Sequence, residues 1–153
     1  MTLKFDLLKE LPGGSDLVTW FGGRVPSFHD AEVIGLTLDR QRSRCCIKIH
    51  AFEMTSQTDP EGYFVCVKHA VITFELENVT ELALDGFNHQ NAINGLDITR
   101  TSDGRFRLEL DPSYGLAGSI EALAVQISVE PGIPPDSIYL ARGASSGRPK
   151  EGG

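Results

Sequence analysis

The chain has 153 residues, 41% hydrophobic and 23% charged, with a formal net charge of −7. The length suits one domain, and the apolar fraction supports a core and excludes a globally disordered chain. The acidic balance, with no Lys/Arg stripe interleaved with aromatics, excludes a phosphate-backbone binder, so no nucleic-acid partner is expected and a basic protein surface suits the field better.

At the start, Lys4, Asp6, Lys9 and Glu10 interrupt any apolar signal-peptide core. No apolar run reaches the roughly 20 residues of a membrane helix, so no membrane partner is expected. Ser15 is placed to cap a short helix through Asp16-Leu17-Val18-Thr19-Trp20-Phe21, which Gly22-Gly23 ends. Pro26 then forces an extended or turn path.

From Glu32 onward the apolar period is two. Ile34, Leu36 and Leu38 form one alternating set, and Cys45, Ile47, Ile49 and Ala51 alternate with Cys46, Lys48, His50 and Phe52. Residues 63–77 predict a long strand with Ala70, Ile72, Phe74 and Leu76 on one face. Val65 and Val67 break its phase, which predicts a bulge or bend near Lys68-His69. A shorter strand from Thr80 turns Leu82 and Leu84 inward. Asp103-Gly104 joins two alternating runs, 93–100 and 106–110, as a hairpin. Leu123, Val125, Ile127 and Val129 share one face of the last strand.

About seven closely spaced, alternating strands with no intervening long helix predict an all-β, mainly antiparallel fold. The expected architecture is a β-sandwich or an open or half barrel, with one short N-terminal helix around which a half barrel would wrap. Residues 1–142 form a single β-rich domain. Residues 143–153, GASSGRPKEGG, form a disordered tail. The cysteines Cys45, Cys46 and Cys66 lie in strand-like runs without a Cys-x-x-Cys pair. They read as buried free thiols in a reducing, cytoplasmic setting.

Two polar clusters stand out. In Pro26-Ser27-Phe28-His29-Asp30-Ala31-Glu32-Val33, Asp30 and Glu32 share a face if the backbone is extended. With a third ligand they would hold a cation or act as paired carboxylates. The structural alternative has Ser27, His29 and Asp30 bonding the turn before the strand. Gly86-Phe87-Asn88-His89-Gln90-Asn91 sets four hydrogen-bonding side chains after a strand, as a recognition loop or as a loop whose amides satisfy its own backbone. His50 and His69 read as partly buried or surface histidines. The four histidines lack metal-ligand spacing, so no metal or cofactor is expected. No Gly-x-Ser-x-Gly or phosphate loop is present, and Cys66 and His69 face opposite ways as a dyad, so no catalytic residues are assigned.

Trp20-Phe21-Gly22, Pro26 to Val33, Leu36-Thr37-Leu38-Asp39-Arg40, Phe87-Asn88-x-Gln90-Asn91 with Ile93, and Ser113-x-Gly115-x-x-Gly118 together resemble the immunity protein 50 family over about Trp20 to Pro131. The resemblance implies a small bacterial cytoplasmic binding protein of a polymorphic-toxin system that neutralises a cognate toxin by protein–protein contact. It supplies no catalytic residues. On this reading the binding candidates are Ser27, His29, Asp30, Glu32, Asn88, His89, Gln90 and Asn91, with Asp85 adding charge complementarity. The alternatives are a metal-dependent hydrolase using His29, Asp30, Glu32 and His89, and a homo-oligomeric structural protein pairing edge strands.

Overall fold

The computed structural model describes residues 3–141 and 146–149. Two short helices, α1 (Phe5–Glu10) and α2 (Gly14–Trp20), precede six long strands: β1 (Glu32–Asp39), β2 (Arg44–Thr58), β3 (Tyr63–Asp85), β4 (Ala92–Arg100), β5 (Phe106–Tyr114) and β6 (Ala117–Pro131). A four-residue helix α3 (Ile138–Ala141) and a short strand β7 (Ser146–Pro149) follow. None of the described helices is long and apolar enough to cross a membrane.

The strand order is β2-β1-β4-β5-β6-β3-β7, and β2 also pairs with β3. Strands β1 to β6 therefore close into an antiparallel ring. The fold is all-β and antiparallel as the alternation predicts, and of the architectures expected it takes the barrel. Its inside is filled by side chains from facing registers. Cys45, Ile47 and Ile49 of β2 lie opposite Leu76, Phe74 and Ile72 of β3, and all six are fully buried. Burying each large apolar side chain contributes about 1.5–3 kcal/mol.

The helices pack their apolar side chains into the core of this ring and are tied to its strands. Leu8 and Leu17 join the core, Glu10 pairs with Arg100 at the end of β4, and Ile127 of β6 donates its N–H to the Pro12 carbonyl. That last contact decides where α2 begins. Ser15 does not cap it. The helix starts two residues earlier, at Gly14, with Gly13 as N-cap at φ +83°. A Cβ on Gly13 would lie 1.7 Å from the Ile127 carbonyl oxygen, so docking against β6 requires glycine there.

Three irregularities bear on the site. The bulge expected near Lys68-His69 is present. Lys68 has φ +57°, and three steps along β3 (Val67 to Ala70) oppose two along β2 (Glu53 to Ala51). In β1 a second bulge between Val33 and Gly35 extrudes Ile34, which is 42% exposed, so Ile34, Leu36 and Leu38 do not share one buried face. In β3, Asn78 (φ +55°) kinks the strand opposite Leu123. The phase of both strands changes there, and Leu123 and Leu82, both expected inward, are exposed. The two predicted strands 63–77 and 80–84 are consequently one kinked strand.

After β6 the chain folds back across the outer face of β2 and β3 as a strap. Of the tail expected to be disordered, Ser146–Pro149 pairs with Tyr63 and Val65 of β3, because backbone ladder bonds need no apolar side chain. The other residues of 143–153 lie outside the described residues.

Cys45 and Cys66 are buried, and Cys46 is half-buried on the outer face. Burial, with Cys46 adjacent, pushes the Cys45 thiol up to about 11. A thiol reagent at pH 8 should therefore modify Cys46 in the native protein and reach Cys45 and Cys66 only on unfolding. Three equally fast thiols would mean that the inner faces of these strands are open to solvent.

Candidate functional site

The polar stretch 26–33 crosses the narrowest seam of the ring. Strands β1 and β4 share one ladder pair, Glu32 with Ala92. The rest of the seam is made by the turn. Asp30 N–H donates to the Ile93 carbonyl (3.0 Å), Ile93 N–H to the Ala31 carbonyl (2.9 Å), and Val33 N–H to the Asn91 carbonyl (2.8 Å). The ring closes where the two polar clusters meet.

Within the turn, Ala31 N–H donates to the Phe28 carbonyl (3.1 Å) and His29 N–H to Ser27 Oγ (3.2 Å). Phe28 and Asp30 have φ +58° and +65°, a region non-glycine residues avoid at a cost of about 1–3 kcal/mol each. Two anchors hold this geometry: the buried Phe28 ring packs 6.0 Å from that of Phe74, and Asp30 N–H is fixed to β4. The result is a ridge that carries the His29 side chain outward, 62% exposed, with Nε2 3.6 Å from Asp30 Oδ2.

Clefts flank the ridge. One, of about 330 Å³, is walled by Phe21, Phe52 and Met54 and includes His29, with an Arg24–Glu53 ion pair in its lining. On the other side a cleft of about 490 Å³ takes in Asp30, Glu32, His89 and Gln90. It shares Glu32, His50, His89 and Asp136 with a third, of about 630 Å³, that extends past Ile34 and Phe87. The turn and the loop thus form one rim. The hydrolase alternative asks His29 to share a pocket with Asp30, Glu32 and His89, but His29 lines the neighbouring one. Among the described residues no three His, Cys, Asp or Glu side chains are placed to hold a metal ion. Asp85, at the far end of β3 opposite Ala117, lines none of these three clefts.

Asn91, one of the contact candidates, holds the loop in place from the floor of the third cleft. It is 4% exposed, and its amide is spent on backbone: Oδ1 accepts from Asn88 N–H (2.9 Å) and Leu116 N–H (3.0 Å), and Nδ2 donates to the Asn88 carbonyl (2.8 Å). It is the clasp that ties the 86–90 loop to the β5–β6 turn. Asn88, His89 and Gln90 remain exposed. The Asn88 carbonyl oxygen of the side chain accepts from both the backbone N–H and Nδ1 of His89 (2.7 and 2.6 Å), which fixes that imidazole over the cleft.

The structure also assembles a cluster that the sequence reading leaves dispersed. His50 and His69 are buried, not surface or half-buried, and His50 Nε2 lies 3.0 Å from His69 Nδ1. One ring donates and the other accepts, which requires a neutral acceptor nitrogen. Burial, reinforced by the neighbouring His69, pushes His50 down to about 4. Phe52 packs 5.5 Å from both imidazoles, and Tyr139 from α3 closes the box at 5.5 and 5.2 Å. The signals were partial. His50 and Phe52 share the outward phase of β2, and the Lys68 bulge turns His69 to the same side. What covers them, the strap through Tyr139, has no periodicity to read.

With this geometry in place, the family comparison is decisive: the model of the immunity protein 50 family matches residues 14–130. The chain belongs to that family. No curated protein and no solved structure shows a significant match to it. The matched span of this immunity protein 50 family member runs from the first residue of α2 to the end of β6, close to the span expected from its motifs. It contains the whole ring, the ridge and the 86–91 loop. Helix α1, the strap after residue 131 and β7 lie outside it.

Proposed function

We propose that this chain is a cytoplasmic, non-enzymatic immunity protein of a bacterial polymorphic-toxin system, which neutralises a cognate toxin by covering it. The observation that carries the reading is that, in a member of an immunity family, the two polar clusters meet at one rim, where a strained turn holds His29 out beside Asp30 and sets Asp30 and Glu32 in the cleft next to it. Strain kept at an exposed turn on a rigid ring suits a surface that must be presented in one shape, because a preorganised contact spends less on ordering when it binds. The contact residues on this reading are Ser27, His29, Asp30 and Glu32 from the turn and Asn88, His89 and Gln90 from the loop. The net charge of −7 favours a basic partner and fast, salt-sensitive encounter.

The test is co-expression with the toxin domain of the same locus. Growth should be restored and a stoichiometric complex should co-elute on gel filtration. Persistent growth arrest without a complex overturns the proposal. In that assay Asp30→Ala combined with Glu32→Ala should weaken binding about tenfold or more, through lost charge complementarity, while far-UV circular dichroism stays native. If the double variant unfolds instead, the two carboxylates serve the seam and not the partner.

A further inference from the structure

We infer that the groove between the ridge, the 86–90 loop and the strap is the seat of an arginine side chain presented by a partner protein between apolar neighbours. The inference rests on the binding role proposed above and adds the chemistry of the occupant.

Three features of the groove point there. The first is its rim. Ile34, extruded by the β1 bulge, is 42% exposed, Phe87 66% and Ile138 54%. Each lines one of the two continuous clefts, so large apolar side chains stand on three sides of one opening. Exposed apolar groups gathered round a concavity mark an interaction site. The second is charge. Asp30, Glu32 and Asp136 line the clefts, and no lysine or arginine does among the described residues. A cation entering the groove meets carboxylates and no competing cation, whereas a phosphate or an acidic peptide is repelled. The third is shape. Phe52 and Tyr139, with rings 5.1 Å apart, also line the cleft, beside the neutral His50. Aromatic walls with carboxylates nearby suit a planar guanidinium, which stacks on rings, bonds carboxylates through a fork and sheds water more readily than an ammonium. Lysine would keep the charge attraction and lose the stacking and the fork.

The strap is essential to this site. It contributes Asp136, Ile138 and Tyr139, all outside the residues that match the family model. The shared ring therefore supplies the Glu32 side of the groove, and this chain's own C-terminal segment supplies the opposite wall.

The experiment uses the full chain, ¹⁵N-labelled, titrated with N-acetyl-arginine methylamide and, in parallel, with the citrulline and lysine counterparts, followed by amide shifts. Saturable shifts at Glu32, His89, Asp136 and Ile138 are expected for the arginine probe, with the lysine probe weaker and citrulline, which is isosteric and neutral, about tenfold weaker or silent. Glu32→Gln with Asp136→Asn should abolish the preference for arginine, and its unchanged spectrum elsewhere would show that the fold is intact. Equal shifts from arginine and citrulline, no saturation, or an unaffected double variant overturn the inference. So does light scattering that shows a dimer masking these same amides, since the occupant would then be a second copy. The toxin assay is scored separately: a complex that forms without arginine binding sinks this inference alone, and arginine binding without growth rescue sinks the immunity reading alone.

Discussion

Stability should fall by about 2 kcal/mol between pH 8 and pH 5, a window in which most carboxylates stay ionised, and by about 3 kcal/mol once the pH is below 4. The cause is the His50–His69 pair. In the unfolded chain His50 titrates near the ordinary histidine value of about 6.5. In the folded protein burial under Tyr139 and Phe52, and then the proximity of His69, hold it down to about 4. As the pH drops through 6.5 the unfolded state takes up a proton that the folded state refuses. The unfolded state binds more protons, so stability declines until the folded group itself titrates near 4. Glu32 is the cross-strand neighbour of His50, and Asp30, His89 and Asp136 line the same cleft. Those carboxylates favour a charged imidazole, and burial outweighs them. Urea unfolding at pH 8, 7, 6 and 5 measures the slope directly. His50→Phe, which keeps a ring in the box and removes the titrating group, should flatten the curve between pH 7 and 5. A wild-type curve already flat over that range would mean that His50 is open to solvent in solution and that the strap does not cover it. Where the loss begins is also expected: the amides of residues 136–139 should lose protection from exchange, relative to their intrinsic rates at each pH, before the strands do, because α3 is one short turn resting on this pair.

Asn91→Ala should cost about 3 kcal/mol, far more than loss of the exposed side chains beside it. Removing the amide strands the buried Leu116 N–H together with the part-buried N–H and carbonyl of Asn88; a buried group left unpaired costs about 1–3 kcal/mol, and the part-buried ones, which water can reach, cost less. The effect should reach two places distant in sequence, because Asn91 is bonded both to its own loop and to the turn after β5. Amide exchange should quicken at Asn88 and at Leu116 in the same variant. By contrast, His89→Ala and Gln90→Ala remove exposed side chains and should stay within about 0.5 kcal/mol of the parent. If Asn91→Ala proves as mild as these two, Asn91 does not clasp the loop and returns to the list of contact residues. Loss of partner binding in Asn91→Ala would then report a direct contact, where otherwise it reports a collapsed loop.

The linear order of residues determined the local rules of this protein. Period-two alternation set which side of β2 and β5 faces inward. Asp103-Gly104 fixed a hairpin, since Gly104 adopts the positive φ that the turn requires (φ +87°). The phase slip between Val67 and Ala70 announced the bulge at Lys68, and the motifs from Trp20 to Gly118 announced the family. Alternation failed at Ile34, Leu82 and Leu123, where bulges and the Asn78 kink shift the phase, because an extra residue in one strand is defined only by its partner.

Tertiary structure alone decided the rest, and for one physical reason. A strand's pattern separates two faces, but nothing in it says what will cover the outer one. Ring closure through β3–β6 and the Glu32–Ala92 seam pairs segments far apart in sequence, and a sandwich would show the same alternation. His50 and Phe52 carry the outward phase that solvent-facing side chains carry. His50 became buried and Phe52 half-buried because Tyr139, almost ninety residues further on, lies over them. Asn91 and Gln90 are neighbours with similar amides. One is buried and the other exposed because Asn88 and Leu116 present backbone N–H groups on one side of the chain and water lies on the other.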